Sequence, residues 1–285
     1  MRERLLTRHF LQRFLENDLL SPEADRHDAI AMVCGGLLTL GLFLSVLISM
    51  KFLFMPFQSP GRTALLAVDD RLLFIAISMI VLALVAVITW DALSLDPRDT
   101  AIFGPLPVER GVIVRAKLHA VGILAGGFAL AISSLSSLFH PAFMVANLPI
   151  GLISGLALIV IHLTVTLAGG LFAFASIVML REILRAALGV RFSRISAGLQ
   201  AVLIVALVTS FLLLPAILSR AGSYERPEAR RVPPVWFLGL HEALAGGLVA
   251  GLPRGALPES IAREEERAAL RYREVALRAC QEITI

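Results

Sequence analysis

The residues of this sequence that could bind a metal or transfer a proton are few and lie far apart. Four histidines, His119, His140, His162 and His241, lie in or beside apolar stretches. None has the spacing of a metal-binding motif, and His241-Glu242 lacks the second histidine of a zinc-protease helix. No glycine-rich phosphate loop is present. The sequence therefore predicts no catalytic residue, metal or cofactor; an enzyme would need polar groups that converge only in the fold.

His162 is the histidine that lies deepest within an apolar stretch. A polar side chain in lipid is costly, so one interpretation is a functional residue. The other is an imidazole that hydrogen-bonds to a neighbouring helix through Thr164 or Ser154. Asp and Glu are absent from the middle of every predicted span, which argues against a carrier driven by protons.

The composition indicates a membrane protein. Of the 285 residues 57% are hydrophobic and 17% charged, against roughly 45–50% and about 25% in soluble domains. The net charge of +4 would favour nucleic-acid binding in a soluble protein. Here the basic residues lie between apolar runs, where they indicate topology, so no nucleic-acid partner is expected.

The apolar runs predict an all-α fold, a polytopic bundle of about five transmembrane helices within residues 29–218. The predicted spans are residues 29–50, 72–89, 116–139, 148–180 and 196–218. At 1.5 Å per residue, a helix of about 22 residues crosses a hydrocarbon core of about 30 Å. The fourth span is longer than this, so we expect it to tilt, to kink at Gly151/Gly155 or Gly169-Gly170, or to emerge as a helix into water.

Polar and amphipathic segments flank the predicted bundle. Residues 1–28 predict an interfacial segment in which residues 1–20 form a helix with an apolar stripe and a basic face, although a helix packed on a soluble domain has the same pattern. Residues 51–70 are expected to form a loop, and Trp90 to lie in the aromatic belt. Residues 219–258 predict an extracytoplasmic loop in which 236–252 form a re-entrant or interfacial helix, with a full span as the alternative. Residues 259–285 form a charged tail.

Two glycine pairs predict close helix contacts. Gly122 and Gly126 share one helix face, as do Gly151 and Gly155. Such pairs let two helix backbones approach each other, either within the chain or against a second subunit, so a homo- or hetero-oligomer is expected.

The basic residues predict the orientation. With the N-terminus inside, thirteen Lys and Arg residues of the short loops lie on the cytoplasmic side and three on the other. The expected location is therefore the cell (inner) membrane, multi-pass, with a cytoplasmic N-terminus in contact with the bilayer.

The predicted inner loop between the second and third spans carries most of the remaining polar chemistry. It is either a stiff connection with solvated charges or a docking surface for a cytoplasmic partner. Its candidate residues are Asp96, Arg98, Asp99, Pro105, Pro107, Glu109 and Arg110.

This loop resembles a region of bacterial ABC-2 type transporter permeases. The segments that carry the resemblance are Thr89-Trp90-Asp91-Ala92-Leu93, Asp96-Pro97-Arg98-Asp99, Gly104-Pro105-Leu106-Pro107 and Ala116-Lys117. In addition, residues 14–22, Asp25-Arg26 and residues 232–240 resemble parts of one poorly characterised branch of that family, so the resemblance covers about residues 10–252.

The resemblance implies a permease subunit that moves a substrate across the membrane with energy from a separate cytoplasmic ATPase. It also implies that residues 96–110 form the segment that couples the two subunits, and that the N-terminal helix is the interfacial helix of that fold. Relatives of this branch continue into further spans, so the chain is expected to be a truncated product, a split half or a reduced paralogue. The alternative function is a non-transport membrane scaffold or assembly protein.

Overall fold

The computed structural model describes residues 2–18, 26–54, 60–90, 109–147, 151–219 and 232–249, and these are almost entirely helical. One short 3-10 turn, Gly189–Arg191, joins the fifth and sixth helices. The helices are α1 (Arg2–Asp18), α2 (Arg26–Phe54), α3 (Pro60–Ile88), α4 (Arg110–Asn147), α5 (Leu152–Leu188), α6 (Phe192–Ser219) and α7 (Pro233–Val249).

Four helical stretches of the described chain are long and apolar enough to cross a membrane. They are Met32–Lys51, Ala67–Ile88, Gly111–Phe143 and Leu152–Leu214. The predicted all-α, multi-pass class is therefore confirmed at this level. The fourth stretch has 63 residues and contains both α5 and α6, whose helices are separated at Gly189 by a backbone with φ of +53°. Glycine is the residue that adopts this left-handed conformation without strain.

The predicted loop at residues 51–70 is wrong. Helix α2 continues to Phe54 and α3 begins at Pro60, so Lys51 and Asp70 are both helical. Proline suits the first position of a helix, where its missing N–H is not needed. The sequence predicted that these two helices stop short of Lys51 and Asp70, whereas both residues are helical and their side chains form an ion pair.

The side-chain contacts define the direction of each helix. Ser78 of α3 contacts Thr166 of α5, and Phe74, earlier in α3, contacts His162, earlier in α5. Helices α3 and α5 therefore run parallel. Helix α6 runs antiparallel to α3, because Ser196 bonds to Trp90 while the later Gln200 reaches back to Val87. The fourth apolar stretch thus traverses the bundle once in each direction.

The bundle has two ends, one at which α3 ends and α4 begins, and one at which α3 begins. Helices α2 and α4 both run from the first end to the second. We call the first of these the loop end, since residues 91–108 attach there, and the second the cluster end. Helix α1 packs against the first part of α4, at the loop end. Helix α7 packs against α5 and α3, with Val235 and Leu238 buried beside Leu72 and Ile75.

The closest helix approaches use glycines other than those predicted. A Cβ atom on Gly41 of α2 would lie 2.6 Å from the carbonyl oxygen of Ile132 in α4. A Cβ atom on Gly170 of α5 would lie 2.7 Å from Ser78 Oγ in α3. By contrast, Cβ atoms on Gly122, Gly126 and Gly151 would meet nothing within 4 Å. The prediction that these glycines mediate close contacts within the chain is therefore wrong for the described residues.

Two further sequence predictions change in the fold. The predicted N-terminal helix is confirmed as α1, yet its apolar stripe partly faces protein, because Phe10 is buried against Ala116 and Ala120 of α4. Trp90 is fully buried, so its predicted place in an aromatic belt is wrong. The 17 residues of α7 form no candidate span of their own, and the tail at 259–285 lies outside the described residues.

Candidate functional site

The structure places only part of the predicted coupling segment. Asp96, Arg98, Asp99, Pro105 and Pro107 lie outside the described residues. Glu109 is exposed and immediately precedes α4, whose first residue is Arg110. The carbonyl oxygen of Glu109 accepts hydrogen bonds from the backbone N–H groups of residues 112 (2.9 Å) and 113 (3.4 Å). Glu109 therefore occupies the N-cap position, at which the segment becomes helical.

The preceding helix ends in a buried tryptophan. The indole N–H of Trp90 donates a hydrogen bond to Ser196 Oγ of α6 at 3.0 Å. Its ring lies nearly parallel to that of Phe192, with a centroid separation of 6.3 Å and an angle of 20°. The guanidinium of Arg181 in α5 lies 5.8 Å from the indole centroid, within the range of a cation–π contact. Trp90 thus joins the end of α3 to α5 and α6.

A second contact strengthens the same junction. The side-chain amide of Gln200 in α6 donates to the carbonyl oxygen of Val87 at 2.8 Å. This carbonyl lies in the last turn of α3 and also accepts a hydrogen bond from the backbone N–H of Trp90 at 3.2 Å. The segment 91–108 is therefore bounded by a buried, hydrogen-bonded helix end on one side and by the start of α4 on the other.

The largest buried polar group of the described chain lies at the cluster end and was not predicted as a unit. His140 of α4, His162 of α5 and His241 of α7 are each about 1% exposed. The ring centroids of His140 and His162 are 5.5 Å apart, and those of His162 and His241 are 5.6 Å apart. Phe74 of α3 packs against the first two, at 5.2 and 5.7 Å. We call the three imidazoles the histidine cluster.

The environment of His162 contradicts the expected hydrogen bond to Thr164 or Ser154. The hydroxyl of Thr164 donates to the carbonyl oxygen of Val160 in its own helix. Both ring nitrogens of His162 are buried and make no hydrogen bond to any described residue. Buried polar atoms without partners are rare in folded proteins and call for an explanation.

Two ion pairs border the histidine cluster. Lys51 Nζ of α2 lies 2.6 Å from Asp70 Oδ1 of α3, and Arg71 Nη1 of α3 lies 2.6 Å from Glu242 Oε1 of α7. The side chain of Arg71 is 4% exposed and that of Glu242 19% exposed. Removal of one partner from a charge pair this deeply buried strongly destabilises the folded protein, because the other charge remains buried without a partner. The second pair joins α7 to the bundle across 171 positions of sequence.

The buried environment shifts the pKa values of His241 and Glu242 in α7. Burial lowers the pKa of His241 below its usual range. Burial alone would raise the pKa of Glu242, but the guanidinium of Arg71 and the adjacent His241 outweigh it and hold that pKa at about 2. His241 Nδ1 lies 3.4 Å from Glu242 Oε1, without the geometry of a hydrogen bond. Glu242 is therefore an anion at neutral pH, and Arg71 is its principal partner.

Serine hydroxyls extend this polar region into the bundle. Ser78, Ser133 and Ser136 line a cavity of ≈ 10 Å³ that Gly41 and Phe74 also border. This volume is about that needed for one water molecule. Phe74 therefore lies between the cavity and the histidine cluster, and the polar groups follow one another from the cluster end towards the middle of the bundle.

Sequence reasoning named each histidine but did not associate them. The only signal was that His140 and His241 belong to segments that the predicted topology places on the outer side of the membrane, whereas His162 lies within a predicted span. Within the described residues, no group of three His, Cys, Asp or Glu is arranged to hold a metal ion. In comparisons with protein-family models, with curated proteins and with solved structures, the chain shows no match.

Proposed function

We propose that this protein is the membrane-spanning permease subunit of an ABC-type transporter, powered by a separate cytoplasmic ATPase. The observation that carries the proposal is the construction of the loop end, considered with the resemblance of residues 89–117 to ABC-2 permeases. A coupling segment must transmit a displacement to the helices, and this requires firm attachment at both of its ends. Trp90 on one side and the start of α4 on the other supply such attachments.

The contacts of Trp90 give a route for that displacement. A movement of the segment acts directly on α3 and α4, which it joins. Through Trp90 it also reaches Arg181 of α5 and Ser196 of α6. In this mechanism the whole bundle tilts or rotates as a unit about its cluster end, and two such bundles form the pathway.

We propose five membrane passes, formed by α2 to α6, with the N-terminus in the cytoplasm of the cell (inner) membrane. The 63 residues of the fourth apolar stretch would measure about 95 Å as one helix, about three times the hydrocarbon thickness. Their reversal at Gly189 divides them into two passes. The thirteen-to-three distribution of basic residues supports the orientation, because it places the loop end on the cytoplasmic side.

The outward face of α4 supports a second subunit. Leu118, Ile123 and Leu130 are 63, 56 and 49% exposed on this helix, and Gly122 and Gly126 lie open among them. Such a face suits either lipid or a second helix bundle.

The test is purification of the tagged chain from its own host in detergent, followed by assay of ATP hydrolysis in the purified fraction. We expect an ATPase to accompany the chain. The charge reversals Asp99→Lys and Arg110→Glu should remove this activity from the fraction, because the docking surface would then repel its partner. The matched control is Arg194→Glu, an exposed charge at the same end of the bundle but outside the segment.

Two results would contradict different parts of the proposal. If no ATP hydrolysis accompanies the chain, the permease function is wrong and the scaffold alternative is favoured. If the activity is retained in both charge-reversal variants, the permease function stands but residues 96–110 are not its coupling segment.

A further inference from the structure

The histidine cluster has a property that the permease proposal does not use. His162 has two buried ring nitrogens without hydrogen-bond partners among the described residues, and His241 has one. Each ring faces another imidazole, with centroid separations of 5.5 and 5.6 Å. The helix that contributes His241, α7, has 17 residues and packs against α3 and α5. The cluster therefore lies across the contact between α7 and the rest of the protein.

We propose that His140, His162 and His241 form a proton-binding site that keeps α7 docked on α3 and α5 while the imidazoles are neutral and releases it when they are protonated. The ligand is the proton, and its acceptors include both ring nitrogens of His162 and Nδ1 of His241, which make no hydrogen bond to any described residue. The inference does not depend on the transport function.

Charge explains why protonation opposes docking. Several charged or titratable side chains face this region. Helix α2 contributes Lys51, and α3 contributes Asp69, Asp70 and Arg71. Helices α4 and α5 contribute His140 and His162, and α7 contributes His241 and Glu242. Both Lys51 and Arg71 already have a carboxylate partner at 2.6 Å. An added proton therefore introduces a cation for which the described residues offer no unpaired anion.

A protonated His241 would also compete for an existing pair. Its Nδ1 lies 3.4 Å from the carboxylate that Arg71 holds. If Glu242 turns from Arg71 to His241, the ion pair that joins α7 to α3 is weakened. Because the pKa of Glu242 is about 2, this carboxylate keeps its charge between pH 8 and 5, so a transition in that range does not arise from loss of its charge.

Proton linkage gives the direction and the size of the pH effect on the docking of α7. When α7 leaves, the cluster opens on the side that α7 covered, and an imidazole in contact with solvent has an ordinary pKa of about 6.5. Docking is therefore complete above about pH 6.5 and weakens as the pH falls, tenfold per pH unit for each proton taken up. Relative to alkaline pH, three protons taken up by pH 5 shift the equilibrium roughly 30,000-fold, more than the ~10,000-fold that converts a 99:1 mixture to 1:99.

Trp236 reports on the docking of α7. It lies on this helix, and its ring packs at a steep angle against Phe172 of α5, with centroids 6.2 Å apart. The chain contains only two tryptophans, so subtracting the signal of a Trp236→Phe variant, which retains Trp90, isolates the contribution of Trp236. We would measure its emission and its quenching by acrylamide from pH 8 to 5, with the full chain in phosphatidylcholine nanodiscs.

The expected result is a steep transition below pH 6.5 in the native chain, with Trp236 more accessible at low pH. The triple variant H140Q/H162Q/H241Q should show no transition. The matched control H119Q changes an exposed histidine at the loop end and should leave the transition unchanged. D70N should also retain it, because Asp70 pairs with Lys51 and not with the cluster.

Several results would overturn the proposal. These are the absence of a transition in the native chain, its persistence in the triple variant, or its loss in D70N. If the triple variant does not fold, as judged by circular dichroism and gel filtration, the single variants H162Q and H241Q decide. Each should reduce the steepness by about one proton, and a native steepness in both would contradict the proposal.

Discussion

A close approach between the backbones of α2 and α4 gives a sharp test of the packing. Gly41 of α2 faces Ile132 of α4, and a Cβ atom at position 41 would lie 2.6 Å from the Ile132 carbonyl oxygen. Such a contact must open by roughly 0.8 Å, from 2.6 to 3.4 Å, to reach an ordinary van der Waals separation. The obstructing atom belongs to a helix backbone, so it moves only if the two helices separate. We therefore predict that Gly41→Ala destabilises the bundle.

The expected change in the free energy of unfolding is the difference between two opposing effects of the Gly41→Ala substitution. Overpacking in a close-packed interior costs about 1–3 kcal/mol. Alanine gains about 0.5–1 kcal/mol over glycine within a helix. The expected net loss is roughly 1–2 kcal/mol in the free energy of unfolding. Gly170→Ala should cost less, because its Cβ atom would meet a serine hydroxyl, Ser78 Oγ at 2.7 Å, which can rotate away.

The assay is reversible unfolding in mixed micelles with a rising fraction of sodium dodecyl sulfate, followed by circular dichroism. Gly36→Ala is the matched control, because Gly36 lies on the same helix, is exposed, and has open space where its Cβ atom would be. We expect this control to be neutral or slightly stabilising. If Gly41→Ala is as stable as Gly36→Ala, the close approach of α2 and α4 at this point is wrong.

Three further substitutions test separate contacts in the same assay. Glu242→Gln should destabilise the chain by about 3 kcal/mol, because the buried Arg71 guanidinium loses its carboxylate; a loss below 1 kcal/mol would contradict the pairing. Trp90→Phe should cost about 1 kcal/mol through loss of the hydrogen bond to Ser196, and Trp90→Ala about 3–5 kcal/mol through the cavity that it leaves. Glu182→Gln should change stability by less than about 1 kcal/mol, because this carboxylate is 50% exposed although it pairs with the preceding arginine; a larger loss would show that the pair is shielded from solvent.

The existence of the helices follows from the sequence. Long runs of apolar residues bounded by charges predict membrane helices irrespective of their neighbours, because lipid requires every backbone group to bond within its own segment. Helices α2 to α6 accordingly lie where such runs occur. The ends of the helices are harder to predict, because Lys51 and Asp70 lie beyond the predicted spans yet are helical and pair with each other in the fold.

The tertiary structure alone decided which faces meet. A helix that is apolar on all sides has no amphipathic stripe to indicate its inward face. The sequence therefore gave no reason to prefer Gly41 over Gly122, or to expect Trp90 inside the protein. The same holds for the histidine cluster, whose members come from three helices. The pairing of Arg71 with Glu242 joins residues 171 positions apart, and only the packing of α7 against α3 and α5 brings them together.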